Sequence, residues 1–262
     1  MKLKTFFRIA LLIAVVGLTA CTTFQLRDAN DQLTTYYYAK KQAEKNNDWQ
    51  MLEGTIASLS KLAEDAAKQA EEEDDNVRNQ IAFYRIAATA AWQAGDTNVL
   101  AYASEGQKLC TDDNFNRDCG MLLVIPYFAS VDEIKDRFLT LQDKIKNTPA
   151  DKRGTHAQAA EKIFTDYQAA LISVLKHRPK IANSKTHPDF LKALDHNTGA
   201  LLCELIGLNT VGLITTAKGD VNKAKCELYE LKKRALNAGL DQFSVKCLPK
   251  SEDQLKKPKN CP

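Results

Sequence analysis

The sequence predicts an all-α protein built from antiparallel helix pairs, and three observations carry that prediction. Apolar residues recur every three or four positions through most of the chain, as at Leu52, Ile56, Leu59, Leu62 and Ala66, the spacing that gathers side chains on one helical face. Segments that alternate with period two, the mark of a half-buried strand, are nearly absent. Clusters of Gly, Asn, Asp and Pro interrupt the apolar stripes at helix-length intervals, where a chain turns.

The elements follow in order. Met1 to Arg8 is short and basic, Ile9 to Val16 is unbroken apolar sequence, and Gly17-Leu18-Thr19-Ala20 follows. Basic, apolar and small residues in that order mark residues 1–20 as an export leader. The apolar run is too short for a bilayer, which takes about 20 residues. Leu18-Thr19-Ala20-Cys21 resembles the lipobox of bacterial lipoproteins, and the resemblance covers residues 1–21 only. It implies cleavage before Cys21, a diacylglyceryl group on the Cys21 thiol and an acylated new amine. Thr22 stands where an Asp tends to retain such proteins at the inner membrane, so the resemblance implies the outer membrane, facing the periplasm. Residues 21–30 then read as a tether reaching about 35 Å at most when extended.

The helical domain spans 31–240. A first helix runs from Asp31 to Glu44 with Tyr36, Tyr37 and Tyr38 in it, most of them expected in the core. Asn46-Asn47-Asp48 breaks it and caps the next helix, which ends in the acidic run Glu71 to Asp75, read as a solvated helix end. An Ala-rich helix from Arg78 to Ala94 stops at Gly95-Asp96, and a fourth runs to Leu109. Met121 to Pro126 is either a short strand or a buried helical turn, limited by Pro126. Ser130 and Glu133 form a capping box for a helix carrying Ile134, Phe138, Leu141 and Ile145. After Gly154 comes the strongest stripe of the chain: Ala160, Ile163, Phe164, Tyr167, Ala170, Leu171, Val174 and Leu175. Arg178-Pro179 ends it, and 180–187 is a basic linker. Pro188 opens a helix to Ala217, bent at Gly199, Gly207 or Gly212. Gly219-Asp220 leads into a helix over Val221 to Asn237. Residues 241–262 form a basic, Cys-containing tail.

Ala94-Gly95-Asp96 and Lys218-Gly219-Asp220 each turn a helix pair. The second pair resembles a tetratricopeptide repeat, with Gly212, Gly219-Asp220 and Ala224 at the repeat's small and turn positions. In the first pair Ala88 fits, but Leu100 stands where Ala is expected. The alternative is a generic helical bundle. The repeat resemblance implies a scaffold or assembly factor of the envelope, bound to another protein.

Charge excludes one class of partner. Lys2, Lys4 and Arg8 fall in the leader, leaving 33 basic residues against 33 acidic ones, so nucleic-acid binding has no electrostatic footing. Residues 21–130 hold 10 Lys and Arg against 17 Asp and Glu, while 131–262 hold 23 against 16. This asymmetry suggests two halves, 31–130 and 131–240.

Beyond Cys21 there are six cysteines: Cys110, Cys119, Cys203, Cys226, Cys247 and Cys261. An even count in an exported chain points to disulfides, with 15 pairings open. Cys110 and Cys119 bracket a polar stretch and are the natural pair, stabilising by about 2.5–3 kcal/mol on a chain-entropy basis. Cys247 and Cys261 would staple the tail. No C-x-x-C exists, and His156, His177, His187 and His196 share no ligand spacing with one another or with cysteine, so neither a metal nor another cofactor is expected. His177 reads as a helix-end residue, where a cation is favoured. No nucleophile elbow, phosphate loop or paired-carboxylate signature marks an enzyme. The expected activity is therefore binding of an envelope protein. A small-molecule or lipid pocket along Leu201 to Ile214 is the alternative, and a hydrolase of envelope polymers ranks third.

Overall fold

The computed structural model describes residues 3–183, 188–207, 210–240, 247–249, 251–259 and 261, with side chains in the first helix described from Phe24 onward. His187, Leu208, part of the 180–187 linker and residues 241–246 of the tail lie outside the described residues. The described chain is all-α. Its helices are α1 (Leu3–Asn46), α2 (Trp49–Glu72), α3 (Val77–Ala94), α4 (Val99–Lys108), α5 (Arg117–Lys146), α6 (Ala157–Asn183), α7 (Pro188–Gly207), α8 (Thr210–Thr216) and α9 (Val221–Asn237). Short 3-10 turns sit at Arg153–His156 and Glu252–Gln254. Two compact units divide between Ile125 and Pro126, five residues earlier than the charge asymmetry suggested.

In the first unit local chemistry sets the starts of α2 and α3 and the end of α3. The side chain of Asp48 accepts a hydrogen bond from Met51 N at 3.0 Å and opens α2. Asn76 does the same for Arg78 N and Asn79 N at the start of α3. Gly95 closes α3 in the left-handed region at φ 73°, where a side chain would be strained. The α2 stripe buries Leu59, Leu62 and Ala66, and α2 packs on α3. Across that seam the buried residues are mostly alanine: Ala63, Ala67 and Ala70 from α2, Ala87, Ala88, Ala90 and Ala91 from α3. Small side chains let helix axes come close and leave little room for change.

Three expectations about helix limits are corrected. Residues 21–30 are not an extended tether but part of α1. No Gly or Pro interrupts the chain between Gly17 and Gly54, local bonds such as Asn30 Nδ2 to Leu26 O at 2.9 Å support the helix, and Ala29 is already buried. Second, Met121 to Pro126 is buried helix, the second of its two readings, but within a longer helix rather than a single turn, and Ser130 opens no helix. Both lie inside α5, which passes through Pro126, and the Ser130 hydroxyl donates to Tyr127 O at 2.8 Å. Proline lacks the N–H that would reach Leu122 O, but Gln107 of α4 donates its Nε2 to that carbonyl at 2.7 Å. Third, Pro179 does not end α6, which continues to Asn183 and fully buries Ile181.

The second unit has a larger-grained core. Phe138, Ile145, Phe164, Tyr167, Leu171, Leu205 and Leu231, from α5, α6, α7 and α9, form one buried cluster with Leu213 and Ile214 of α8 and Leu248 of the tail. The break expected near the glycines falls after Gly207, where α7 ends; α7 passes unbroken through Gly199. Asp220 caps α9 by accepting from Lys223 N at 2.9 Å. The Gly219-Asp220 turn is locked by Glu161 of α6, which accepts from Asp220 N at 2.8 Å. A Cβ at Gly219 would meet Glu161 Oε1 at 2.7 Å and Ile214 Cγ2 at 2.9 Å, so a side chain there would displace Ile214 and the Glu161 carboxylate that holds the turn. In the α3–α4 pair Leu100 points to solvent, and Ala103 and Gly106 take the inward positions. The small residues of this pair thus lie about one helical turn beyond Leu100, where the repeat resemblance wanted an Ala.

Candidate functional site

The described residues offer surfaces and cross-links more than a reaction centre. Toward the start of the chain, Cys21 lies within α1. Phe24 is 73 % exposed, Arg27 is also exposed, and Ala29 is the first described residue of the helix to be buried. The body thus grips α1 about two turns beyond Cys21.

None of the three successive tyrosines is buried, against expectation. Successive helical positions point 100° apart, and the narrow seam of α1 is already filled by Ala29, Leu33 and Ala43. Tyr36 and Tyr37 are half-buried and Tyr38 is exposed. Tyr37 and Tyr38 meet edge to face with centroids 5.5 Å apart, and Lys41 Nζ lies 5.2 Å from the Tyr37 ring centre. Its hydrogen bond to Tyr37 raises the Lys41 ammonium pKa above the usual lysine range. Trp49 and Met51, at the start of α2, are exposed as well. Phe24 and Tyr38 stand fourteen positions apart, which returns them to nearly the same face of α1. Lys40 turns the other way and donates to Gln93 O in the last turn of α3 at 2.6 Å, a cation at a helix C-terminus.

All six cysteines outside the lipobox-like segment are paired: Cys110–Cys119, Cys203–Cys247 and Cys226–Cys261. The first closes the α4–α5 connection. There Asn114 bonds Leu109 O and Thr111 N, and Asn116 caps α5 at Asp118 N and Cys119 N. Beside it Arg85 of α3 joins Asp118 Oδ1 at 3.0 Å and Asn30 Oδ1 at 2.6 Å, tying α1, α3 and α5 through one guanidinium. The other two bridges bind the C-terminal tail to α7 and α9.

Arg178 is the centre of the second unit. Its Nε and Nη2 bond both oxygens of Asp195 in α7 at 2.6 and 2.7 Å. Its Nη1 donates to Ala238 O, and its Nη2 reaches Gly239 O at 3.4 Å. One side chain therefore joins α6, α7 and the end of α9. Sequence reasoning missed it, because an Arg before Pro reads as a helix terminus.

The histidines do not converge. His156 pairs with Thr148 Oγ1 at 3.0 Å, and His196 is exposed. His177 is not at a helix end, since α6 runs past it. Its Nε2 lies 3.5 Å from Tyr127 Oη. Burial first, then Lys176 and Lys180, lower its pKa, so the cation expected there is disfavoured. Among the described residues no group of three His, Cys, Asp or Glu side chains could hold a metal, and no helix is long and apolar enough to cross a membrane.

Fold and covalent framework define the class: a disulfide-bonded, all-α protein in two compact units. No family model, curated protein or solved structure matches the chain.

Proposed function

We propose that this is a lipid-anchored envelope protein whose helical body holds another protein. The observation that carries the reading is the pairing of all six body cysteines, which supports folding in an oxidising, extracytoplasmic compartment. The leader-like residues 1–20 and the lipobox-like Leu18 to Cys21 support attachment through Cys21. Thr22 supports the outer membrane, with the body facing the periplasm. One acyl chain holds a protein only marginally, whereas two or three hold it durably.

Solvent-facing Phe24, Tyr38 and Trp49 support contact with a protein partner, since large aromatics anchor interfaces. Buried Ala224 beside the Gly219-Asp220 turn supports close, tetratricopeptide-like stacking of α8 on α9. On this reading the protein is a binder and scaffold rather than a catalyst. The pocket alternative has weaker support: Leu202, Leu205, Leu213 and Ile214 belong to the core cluster.

Cys21→Ser tests the anchor. The variant should leave the membrane fraction and lose incorporated palmitate, and unchanged membrane retention contradicts the reading. Crosslinking of the lipidated form in cells, followed by identification of attached envelope proteins, tests the partner.

A further inference from the structure

The three disulfides sit in different surroundings. Cys119 is fully buried, which closes one of the two sulfurs of Cys110–Cys119 to attack. Cys203 and Cys247 are both packed against the buried cluster of the second unit. Cys226 and Cys261 are half-buried and line an open groove along α9. A thiol must reach a sulfur to open a bridge, so exposed bridges exchange and enclosed ones persist. Asp220, Glu227 and Glu230 line the same groove with Lys223 and Arg234. Charges of both signs therefore flank these sulfurs, and access rather than local charge orders the three bridges.

What the Cys226–Cys261 bridge holds is the end of the chain. Leu248 is buried in the core, and Cys203–Cys247 fixes the tail just before it. Beyond Leu248 the chain lies against α9 as a strap. Its turns bond within the strap itself: Gln254 N to Ser251 O at 3.2 Å, Leu255 N to Glu252 O at 2.9 Å and Cys261 N to Pro258 O at 3.4 Å. It is tied to α9 at Lys233, whose Nζ lies 2.9 Å from Glu252 Oε1, and at Cys226. Leu255 and Pro258 share a cleft with Lys225, Leu228, Tyr229 and Lys232, positions that fall on one face of α9. The Lys233–Glu252 pair is partly exposed on both sides, and such pairs contribute little. The bridge is therefore the tie that keeps the strap closed.

We propose that Cys226–Cys261 is a redox latch: exchange with a dithiol opens this one bridge, frees residues 249–261 from α9 and bares the face that carries Leu228 and Tyr229. The dithiol, free or on an oxidoreductase, supplies the electrons. Its thiolate attacks one sulfur of the bridge, the Cys226–Cys261 S–S bond breaks as a mixed disulfide forms, and the other cysteine leaves as a thiolate and takes up a proton. The second thiol of the dithiol then closes the dithiol's own disulfide and releases the remaining cysteine. Two electrons pass to the bridge, and the dithiol is oxidised. Cys203–Cys247 stays closed, so Leu248 stays in the core and the opening stops there. The latch requires neither the lipid anchor nor the binding partner proposed above.

The test adds dithiothreitol in rising amounts to the full, disulfide-intact chain, traps free thiols with N-ethylmaleimide and locates them by peptide mass. Cys226 and Cys261 should be trapped at about tenfold less dithiol than the other four cysteines. In the chain trapped at that stage, hydrogen exchange over 249–261 should quicken and hydroxyl-radical labelling of Tyr229 should rise, while α6 and α9 keep their protection. The double variant Cys226→Ser, Cys261→Ser should show the same open tail with no dithiol present; if it does not fold, the trapping series on the native chain decides by itself. Thiols that appear together at all three bridges, or first at another pair, overturn the proposal. So does an opened Cys226–Cys261 with the tail still protected. Loss of protection throughout α6 and α9 at that stage also overturns it, since the bridge is then a brace of the fold and not a latch.

Discussion

Around α2 and α3 the first unit is held by alanines packed at close range, with one disulfide spanning nine positions. Around α6 the second unit is held by large side chains, by two disulfides spanning 44 and 35 positions, and by the Arg178 clamp. Long α2 and α3 make a continuous seam. The seven-residue α8 and the tail offer little surface of their own, so cross-links do what helix length does in the first unit. One half is therefore sensitive to added volume and the other to lost ties.

Reduction should separate the halves most strongly. On the chain-entropy account, Cys203–Cys247 and Cys226–Cys261 each stabilise by about 4 kcal/mol, against about 2.5 kcal/mol for Cys110–Cys119. Hydrogen exchange on the reduced, thiol-blocked chain should show protection lost chiefly in the second unit; equal loss in both would erase the distinction. Next in size is Arg178→Ala. Removing one partner of a mostly buried ion pair costs about 3 kcal/mol, and Asp195 is left without its bidentate partner. Denaturant unfolding should record this, and an unchanged midpoint would show that Arg178 is not the clamp.

Gly106→Ala probes the other half. An added Cβ would lie 2.6 Å from Leu122 Cδ1 and 2.8 Å from Tyr84 Cβ. The end of Leu122 can swing away, but Tyr84 Cβ is fixed to its helix. Overpacking of this kind costs about 2 kcal/mol, read as a lower melting temperature. The smallest effect belongs to His177. Burial lowers its folded pKa below the usual 6.5, so the unfolded chain binds the proton more readily. Its stabilising contribution is complete above pH 6.5 and falls as pH drops from there through the folded value. His177→Phe should flatten the dependence of the unfolding midpoint between pH 7.5 and 5.5, and a slope that persists unchanged would assign it to other groups.

The helices α2 and α9 were legible because stripe and cap agree: Asp48 and Asp220 sit where the periodicity begins, and the structure uses both as caps. Pro126 and Pro179 misled for one reason. A proline speaks for its own backbone, while what lets a helix pass it comes from elsewhere: Gln107 of α4 at Pro126, and at Pro179 the burial of Ile181 beyond it. The Cys203 and Cys226 partners were hidden too, since spacing carries no information on which helices meet. Leu100 departs from the repeat pattern without loss to the helix pair, because a crossing needs a small residue somewhere along it, and here Ala103 and Gly106 are the buried ones.

Gln107 serves the carbonyl that Pro126 leaves open, and this makes the two positions a single unit of change. A descendant that replaced Pro126 first would restore the helical amide and free Gln107 to drift. One that replaced Gln107 first would carry a bare carbonyl inside α5. The coupling of the pair is thus directional: the proline can change without the glutamine, but the glutamine cannot change without exposing the proline's open carbonyl.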